Sequence, residues 1–425
     1  MDGVAPTPTA VPTTAPRNPF SSPSFSSPTS APSPRSPLPS PSLQYARGTS
    51  FSNTNVSSFS TSAIHTAAIS DEVPVPAALA PSAAAETRTE TDLLGAKEIP
   101  ADALYGINTQ RAVENYDITG VRLHQYPEFI KALGMTKKAC AAANHQLGLL
   151  SPDVFVAVNE ACDEVIAGQH DAHFICDMIQ GGAGTSTNMN INEVVANIAL
   201  QNTGRHKGDY AAINPNDHVN LCQSTNDAYP SAAKIAVVLK HRPLVREMKG
   251  LIAAMRAKGA EFGHVVKMGR TQLQDAVPMT LGQEFNAMAA TMQHDLEILE
   301  RIIGECYILN LGGTAIGTGI CADERFASCA IRHLSEITDL PLKSPNDFIE
   351  ATSSTGSFLL FSSVLRRISV KLSKICNDLR LLSSGPRCGF GEINLPPMAP
   401  GSSIMPGKIN PVIPEVVNQV CFQEP

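Results

Sequence analysis

Seven apolar residues, Phe361, Leu365, Ile368, Leu372, Ile375, Leu379 and Leu382, recur at alternating spacings of four and three. On a helix that spacing keeps one narrow stripe apolar for three heptads, and so long a stripe has to be covered by other helices along its length. A second pattern keeps the rhythm, with one extra residue, from Thr280 to Leu309 through Leu281, Phe285, Met288, Met292, Leu296, Leu299, Ile303 and Cys306. At a rise of 1.5 Å per residue such helices run to about 40 Å. A third begins after Asp227 and runs toward Phe262. Pro243 is expected to kink it or divide it in two, because the ring removes an amide donor and crowds the preceding turn. Three elongated seams imply a bundle whose stripes face other subunits as well as their own chain. Strand signals are few and short, so the expected fold class is all-α.

With 425 residues, 43% of them apolar, the chain can bury a large core. Residues 1–70 stay out of it, since more than half are Ser, Pro or Thr and Asp2 is the only acid. Such a stretch cannot offset its chain entropy by burial, and 1–86 is expected to be a disordered tail. Arg17, Arg35 and Arg47 in acid-poor, Ser-rich surroundings also suit a targeting segment for a mitochondrion or plastid, although Pro is abundant and no amphipathic basic helix stands out. The other reading is an ordinary tail on a cytoplasmic protein. The net charge of −7 is spread along the chain, without the Lys/Arg stripe that phosphates require, so nucleic acid is not an expected partner. Neither is a membrane, for no run of about eighteen apolar residues occurs. The cysteines form no CxxC pair, and Cys140, Cys162, Cys306 and Cys376 sit inside helical patterns. They read as buried free thiols, which suits a reducing compartment. A small molecule is the expected partner.

Four polar segments interrupt this helical background. Gly181-Gly182-Ala183-Gly184-Thr185-Ser186-Thr187-Asn188-Met189-Asn190 precedes a helical run from Glu193 to Leu200, with Gly204 as its stop. Glycines followed by hydroxyls at a helix start make either an anion site of N–H groups or an elaborate N-cap. Gln223-Ser224-Thr225-Asn226-Asp227 opens the third long pattern, and reads either as a cradle for a carboxylate and an amine or as an ordinary helix start. Gly269-Arg270-Thr271-Gln272-Leu273-Gln274-Asp275-Ala276-Val277-Pro278 falls at a break between two long helices, where solvent-facing caps would be the plain explanation. Gly401-Ser402-Ser403-Ile404-Met405-Pro406-Gly407-Lys408-Ile409-Asn410 is the most specific of the four. A glycine-rich loop with paired serines and a lysine can supply a base together with a cation for an anionic intermediate.

This last segment is similar to the signature loop of the aspartase and fumarase superfamily, and the other three match that family's remaining motifs in the family's order. The resemblance runs from about Thr87 to Cys421, taking in Asp92-Leu93-Leu94-Gly95, Tyr105-Gly106-Ile107-Asn108-Thr109 and Leu311-Gly312-Gly313-Thr314-Ala315-Ile316-Gly317-Thr318-Gly319. It implies a mixed helical domain over 87–223, then a central bundle over 224–425 that contains the loop at 401–410. It also implies a homotetramer in which each active site takes its motifs from three chains. Family members continue beyond the loop, so the last bundle helices and a small C-terminal domain are expected to be missing here, leaving an apolar face uncovered.

Members of this family take a proton from the carbon beside one carboxylate of a four-carbon diacid and expel a leaving group from the next carbon. The intermediate is an enediolate, which demands donors aimed at the oxygens of that carboxylate. By resemblance, Thr185, Ser224, Thr225 and Ser403 hold the reacting carboxylate, Lys408 and Asn410 hold the other, and Asn226, Thr271 and Gln272 face the leaving group. The base is Ser402, whose alkoxide needs support from nearby N–H groups or from Lys408. Fumarases and some aspartases carry His at the position of Gln272, and certain aspartases carry Gln there. Glutamine cannot protonate a departing hydroxide, whereas ammonia leaves with less help, so the expected reaction is conversion of L-aspartate to fumarate and ammonia, with no cofactor and no metal. The alternatives are class II fumarate hydration and a truncated, non-catalytic relative.

Overall fold

The structure, a computed structural model, describes residues 86–423; the expected tail therefore lies outside the described residues, apart from Glu86. The chain opens with an antiparallel hairpin, β1 (Thr87–Asp92) and β2 (Gly95–Pro100), followed by the short helix α1 (Ile107–Asn115). Helices α2 (Pro127–Gln146), α3 (Pro152–Ile166) and α4 (Thr185–Asn202) follow, the first two each starting on a proline whose missing N–H is an unpaired group at that position in any case. Next come the long helix α5 (Thr225–Glu261), a second hairpin of β3 (Val266–Thr271) and β4 (Gln274–Thr280), and α6 (Leu281–Ile302). The described chain ends with α7 (Phe326–Thr338), the short α8 (Phe348–Ser353), α9 (Gly356–Leu382) and α10 (Val412–Gln423).

Helices dominate, as their apolar spacing requires. Two sequence expectations need correction. Pro243 does not divide the third pattern: α5 is one helix of 37 residues with Pro230 and Pro243 inside it. Burial on both sides of Pro243 offsets the lost amide bond, since Val238 lies in one apolar core and Met248, Ile252 and Met255 lie in another. The third polar segment does fall between two long helices, α5 and α6, but it is the β3–β4 hairpin rather than a run of solvent-facing caps.

The first core gathers α2, α3, α4, α7 and the start of α5, around Ile130, Leu133, Val158, Ile198, Ile235 and Leu334. The second is the three-helix seam of α5, α6 and α9, where Met292, Leu296 and Leu299 meet Met248, Ile252, Val364, Ile368 and Ile375. Cys140, Cys162, Cys306 and Cys376 are buried free thiols. Among the described residues no helix is long and apolar enough to cross a membrane.

One buried carboxylate fastens the small helix α1 to the first core. Glu193, on α4, accepts the N–H groups of Gly106, Asn108 and Thr109 at 2.8–3.1 Å, along with the Asn108 amide and the Thr109 hydroxyl. An α1 N-terminus is thereby satisfied by a side chain about eighty-five residues away. Burial alone raises the affinity of Glu193 for a proton, and these donors oppose that shift. Replacing it by alanine orphans five donors at once. Glu193→Ala is expected to lower the unfolding free energy by roughly 3 kcal/mol or more, readable as a fall in the urea midpoint at unchanged slope. A midpoint within error of the unmutated chain would show that water replaces the carboxylate at no cost.

Candidate functional site

The site residues come from loops at helix ends, and local chemistry fixes each one. Gly184 caps α4 in the left-handed region at φ +90°, and a Cβ there would lie 2.8 Å from the ring of Tyr229 on α5. Only glycine allows both the turn and that close approach. Thr185 follows as the first helical residue, exposed, its hydroxyl donating to the Gly182 carbonyl at 2.7 Å. Ser224 is the N-cap of α5 in a capping box: its Oγ accepts the Asn226 N–H at 3.2 Å while Asp227 Oδ1 accepts the Ser224 N–H at 2.9 Å. The plain helix-start reading is therefore correct as local structure for the second segment, whereas the first opens α4 on Gly184 with no side-chain cap bond. The two segments leave Thr185 exposed and Ser224 and Thr225 half-exposed beside one another's helices.

Asp227 does more than cap. It is fully buried, and its Oδ2 accepts the N–H groups of Gly312 and Thr314 at 3.0 and 2.9 Å. Asn226 donates to the Ala315 carbonyl at 2.7 Å, so the glycine-rich stretch at 311–319 is tied to the start of α5. Burial pushes the Asp227 carboxyl up to about 6 against the pull of its three N–H donors.

Gln272 and Leu273 form the two-residue tip of the β3–β4 hairpin, with φ of +53° and +64°. Hairpin tips of two left-handed residues match the strand twist but are normally Asn-Gly, so two side-chain-bearing residues here store strain. The tip presents Thr271 and Gln272 to solvent. Just below it, Arg270 pairs with Glu392 and stacks over Phe390 at 4.4 Å from the ring centre. This holds the hairpin to the segment that follows α9, around a cleft of about 430 Å³ lined by Gln272, Arg270, Lys267, Lys374, Asp378 and Phe390.

The signature loop is pinched at its base. Gly401 N–H donates to the Lys408 carbonyl at 2.8 Å, the Asn410 amide donates to the Gly401 carbonyl at 2.9 Å, and a Cβ on Gly401 would lie 2.8 Å from Asn410. Within the loop, Ser402 Oγ accepts the N–H groups of Ile404 and Met405 at 3.3 and 3.0 Å. Two converging N–H groups are what an oxygen that must carry negative charge requires. Among the described residues the side chains of Thr225, Thr271, Gln272, Ser403 and Lys408 make no hydrogen bond, so their polar atoms are available to a ligand.

These residues form two groups, and one chain keeps them apart. Thr185 and Ser224–Asn226 lie together at the N-terminal end of α5, while Thr271 and Gln272 follow its C-terminal end. A helix of 37 residues is about 55 Å long. Even a hairpin of about 20 Å folded straight back along it leaves some 35 Å between Ser224 and Gln272. The signature loop springs from the same end as the hairpin, beyond the C-terminus of α9 that lines the cleft.

Sequence reasoning passed over Lys137. Its ammonium is completely buried and donates to Asn188 Oδ1 at 2.8 Å, Asn220 Oδ1 at 3.0 Å and Gln223 Oε1 at 2.8 Å. The signal was present: Ile130, Leu133, Lys137, Cys140 and Asn144 share the buried helical stripe of α2. His173 and His218 each accept a backbone N–H through Nδ1, from Leu104 and Asn214 respectively, and serve the fold.

A lyase family profile matches residues 95–424. Over 343 residues the sequence is 59% identical to an aspartate ammonia-lyase of Pseudomonas aeruginosa, covering 80% of this chain and 72% of that protein. The fold is similar to a crystal structure of a fumarate lyase:delta crystallin from Brucella melitensis bound to cobalt, with a TM-score of 0.78 and 55% identity over 80% of this chain and 74% of that one. A class II fumarase from Schistosoma mansoni has a comparable fold, at a TM-score of 0.76 with the same coverage, but only 33% identity.

Proposed function

Because this chain belongs to the lyase family, we infer that it is a carbon–nitrogen lyase acting on a small-molecule substrate, and that its reaction is the aspartate ammonia-lyase one, L-aspartate to fumarate and ammonia. The observation that carries the choice of leaving group is Gln272, solvent-facing at the hairpin tip. The amino group of L-aspartate arrives protonated, so it departs as neutral ammonia with the C–N electron pair and needs no acid. Hydroxide leaving from malate does need one, and an amide has no proton to give at neutral pH.

In the proposed mechanism Ser402 is the base. Its alkoxide, held by the N–H groups of Ile404 and Met405, takes the proton from the carbon next to the reacting carboxylate. The electrons pass onto that carboxylate, where Thr185, Ser224, Thr225 and Ser403 receive the added charge. Lys408 and Asn410 hold the second carboxylate, and Asn226, Thr271 and Gln272 face the ammonium. Collapse of the enediolate then breaks the C–N bond. Asn410 already spends its amide on the Gly401 carbonyl, so its contribution is to fix the loop as well as to bind.

Residues some 35 Å apart in one chain become one site only between chains, and we propose a homotetramer with sites shared among subunits. The exposed apolar side chains of Leu359 and Val370 on α9 and of Val420 and Phe422 on α10 support it, being at least 60% exposed without a partner subunit. The purified chain offered L-aspartate should release fumarate, followed by ultraviolet absorbance, while L-malate turns over at least about a hundredfold more slowly. Comparable rates with the two substrates would make the reaction a hydratase one despite Gln272.

A further inference from the structure

We propose that Lys137 is a positioning residue of this reaction: from behind the two carboxylate-binding segments its ammonium locks the start of α4 to the start of α5 and lends them a positive charge. The proposal rests on the ammonia-lyase reading. Asn188 lies one turn into α4 from Thr185, and Gln223 immediately precedes Ser224. Both give their side-chain oxygens to the same ammonium, and Asn220 gives the third.

The cage is built with its oxygens turned inward. The Asn188 amide NH₂ donates to Asn220 Oδ1 at 3.1 Å, that of Asn220 to the Gln223 carbonyl at 3.2 Å, and that of Gln223 to the carbonyls of Val219 and Leu221 at 3.0 and 3.2 Å. Three neutral acceptors meet the three protons of the ammonium, and no carboxylate touches it. Packing alone does not call for this: methionine would fill the space with no charge to desolvate. A cation kept at that cost, beneath segments that gather a dicarboxylate, raises their affinity for negative charge and most of all for the enediolate.

The ionisable groups facing Lys137 are Cys140 on its own helix, Cys162 on α3 and Asp227 on α5. Burial brings the ammonium down to about 8, so it loses its charge as pH rises through that value. The thiol of Cys140 is pushed well above its usual range and stays neutral there.

The test uses the full chain and two variants, Lys137→Gln, which keeps two donors without the charge, and Lys137→Met. Succinate, an unreactive dianion, is titrated calorimetrically between about pH 7 and pH 9.5. The unmutated chain should lose succinate affinity above about pH 8, and a variant of unchanged helicity and subunit number should show about tenfold weaker binding at pH 7, no such decline, and a kcat lowered at least as much. A folded variant within twofold of the unmutated chain in both constants would overturn the proposal, as would a flat succinate profile of the unmutated chain. If neither variant folds, a flat profile of the unmutated chain still overturns the proposal. Fumarate release from L-aspartate tests the parent reading separately, because succinate binding reads out without turnover.

Discussion

Ser402→Ala is expected to lower kcat for fumarate formation from L-aspartate by about 10³-fold or more, with KM changed little. The C–H bond beside an ionised carboxylate is so weak an acid that no binding residue substitutes for the base. In the structure Ser402 differs from its neighbour Ser403 in one respect that bears on this. Its oxygen sits under two backbone N–H groups, whereas Ser403 makes no side-chain hydrogen bond among the described residues. Removing Oγ leaves those N–H groups exposed to water, so the fold loses little and the chemistry loses its proton acceptor. The measurement is initial rate by ultraviolet absorbance beside subunit number by light scattering. A variant that assembles normally and keeps more than about a tenth of the rate would place the base elsewhere.

The second large effect is a gain. A chain bearing Ser224→Ala with Thr225→Val lacks carboxylate donors at one end of α5, and Ser402→Ala lacks the base at the other. Each alone is expected to be nearly inactive. Co-expressed in equal amounts, they should regain roughly a quarter of the unmutated activity, because a site that draws its two ends from different chains is intact when neither end is altered. The result is expected from the length of α5, which separates Ser224 from the hairpin, and from the signature loop following the end of α9 that lines the hairpin cleft. Mixed assemblies as inactive as their parents would mean that each site is completed within one chain, against the helix length. A further check is order of addition: mixing preformed assemblies should restore activity only as subunits exchange.

Much of this architecture was legible in the sequence, for physical reasons that differ by element. The seam from Phe361 to Leu382 is visible because its period is set by packing, and α9 follows it. Division at Pro243, one of the two outcomes expected there, does not occur, because the cost of a missing N–H is outweighed by burial of α5 on both sides, a tertiary effect no window of sequence contains. The hairpin went unread because Gln272-Leu273 offers none of the Asn-Gly chemistry that advertises such a turn. The candidate motif residues are assigned through residue type and resemblance. Their division between two ends of a long helix was not local information. Lys137 was missed for the opposite reason: a lysine on an apolar stripe reads as noise until the three amides around it are seen, and these come from two distant stretches of chain.

The hairpin tip has a consequence for how position 272 can change. At φ +53° the backbone itself screens side chains, admitting Gly, Asn, Asp and His most readily and resisting Val, Ile and Thr. A saturation library at this codon would therefore be sieved twice, first for a tolerable turn and only then for fitness toward a departing amine or hydroxide. Histidine passes the first sieve easily, so the path between amine and hydroxide elimination is short in conformational terms, while β-branched side chains are closed off by geometry before chemistry is consulted.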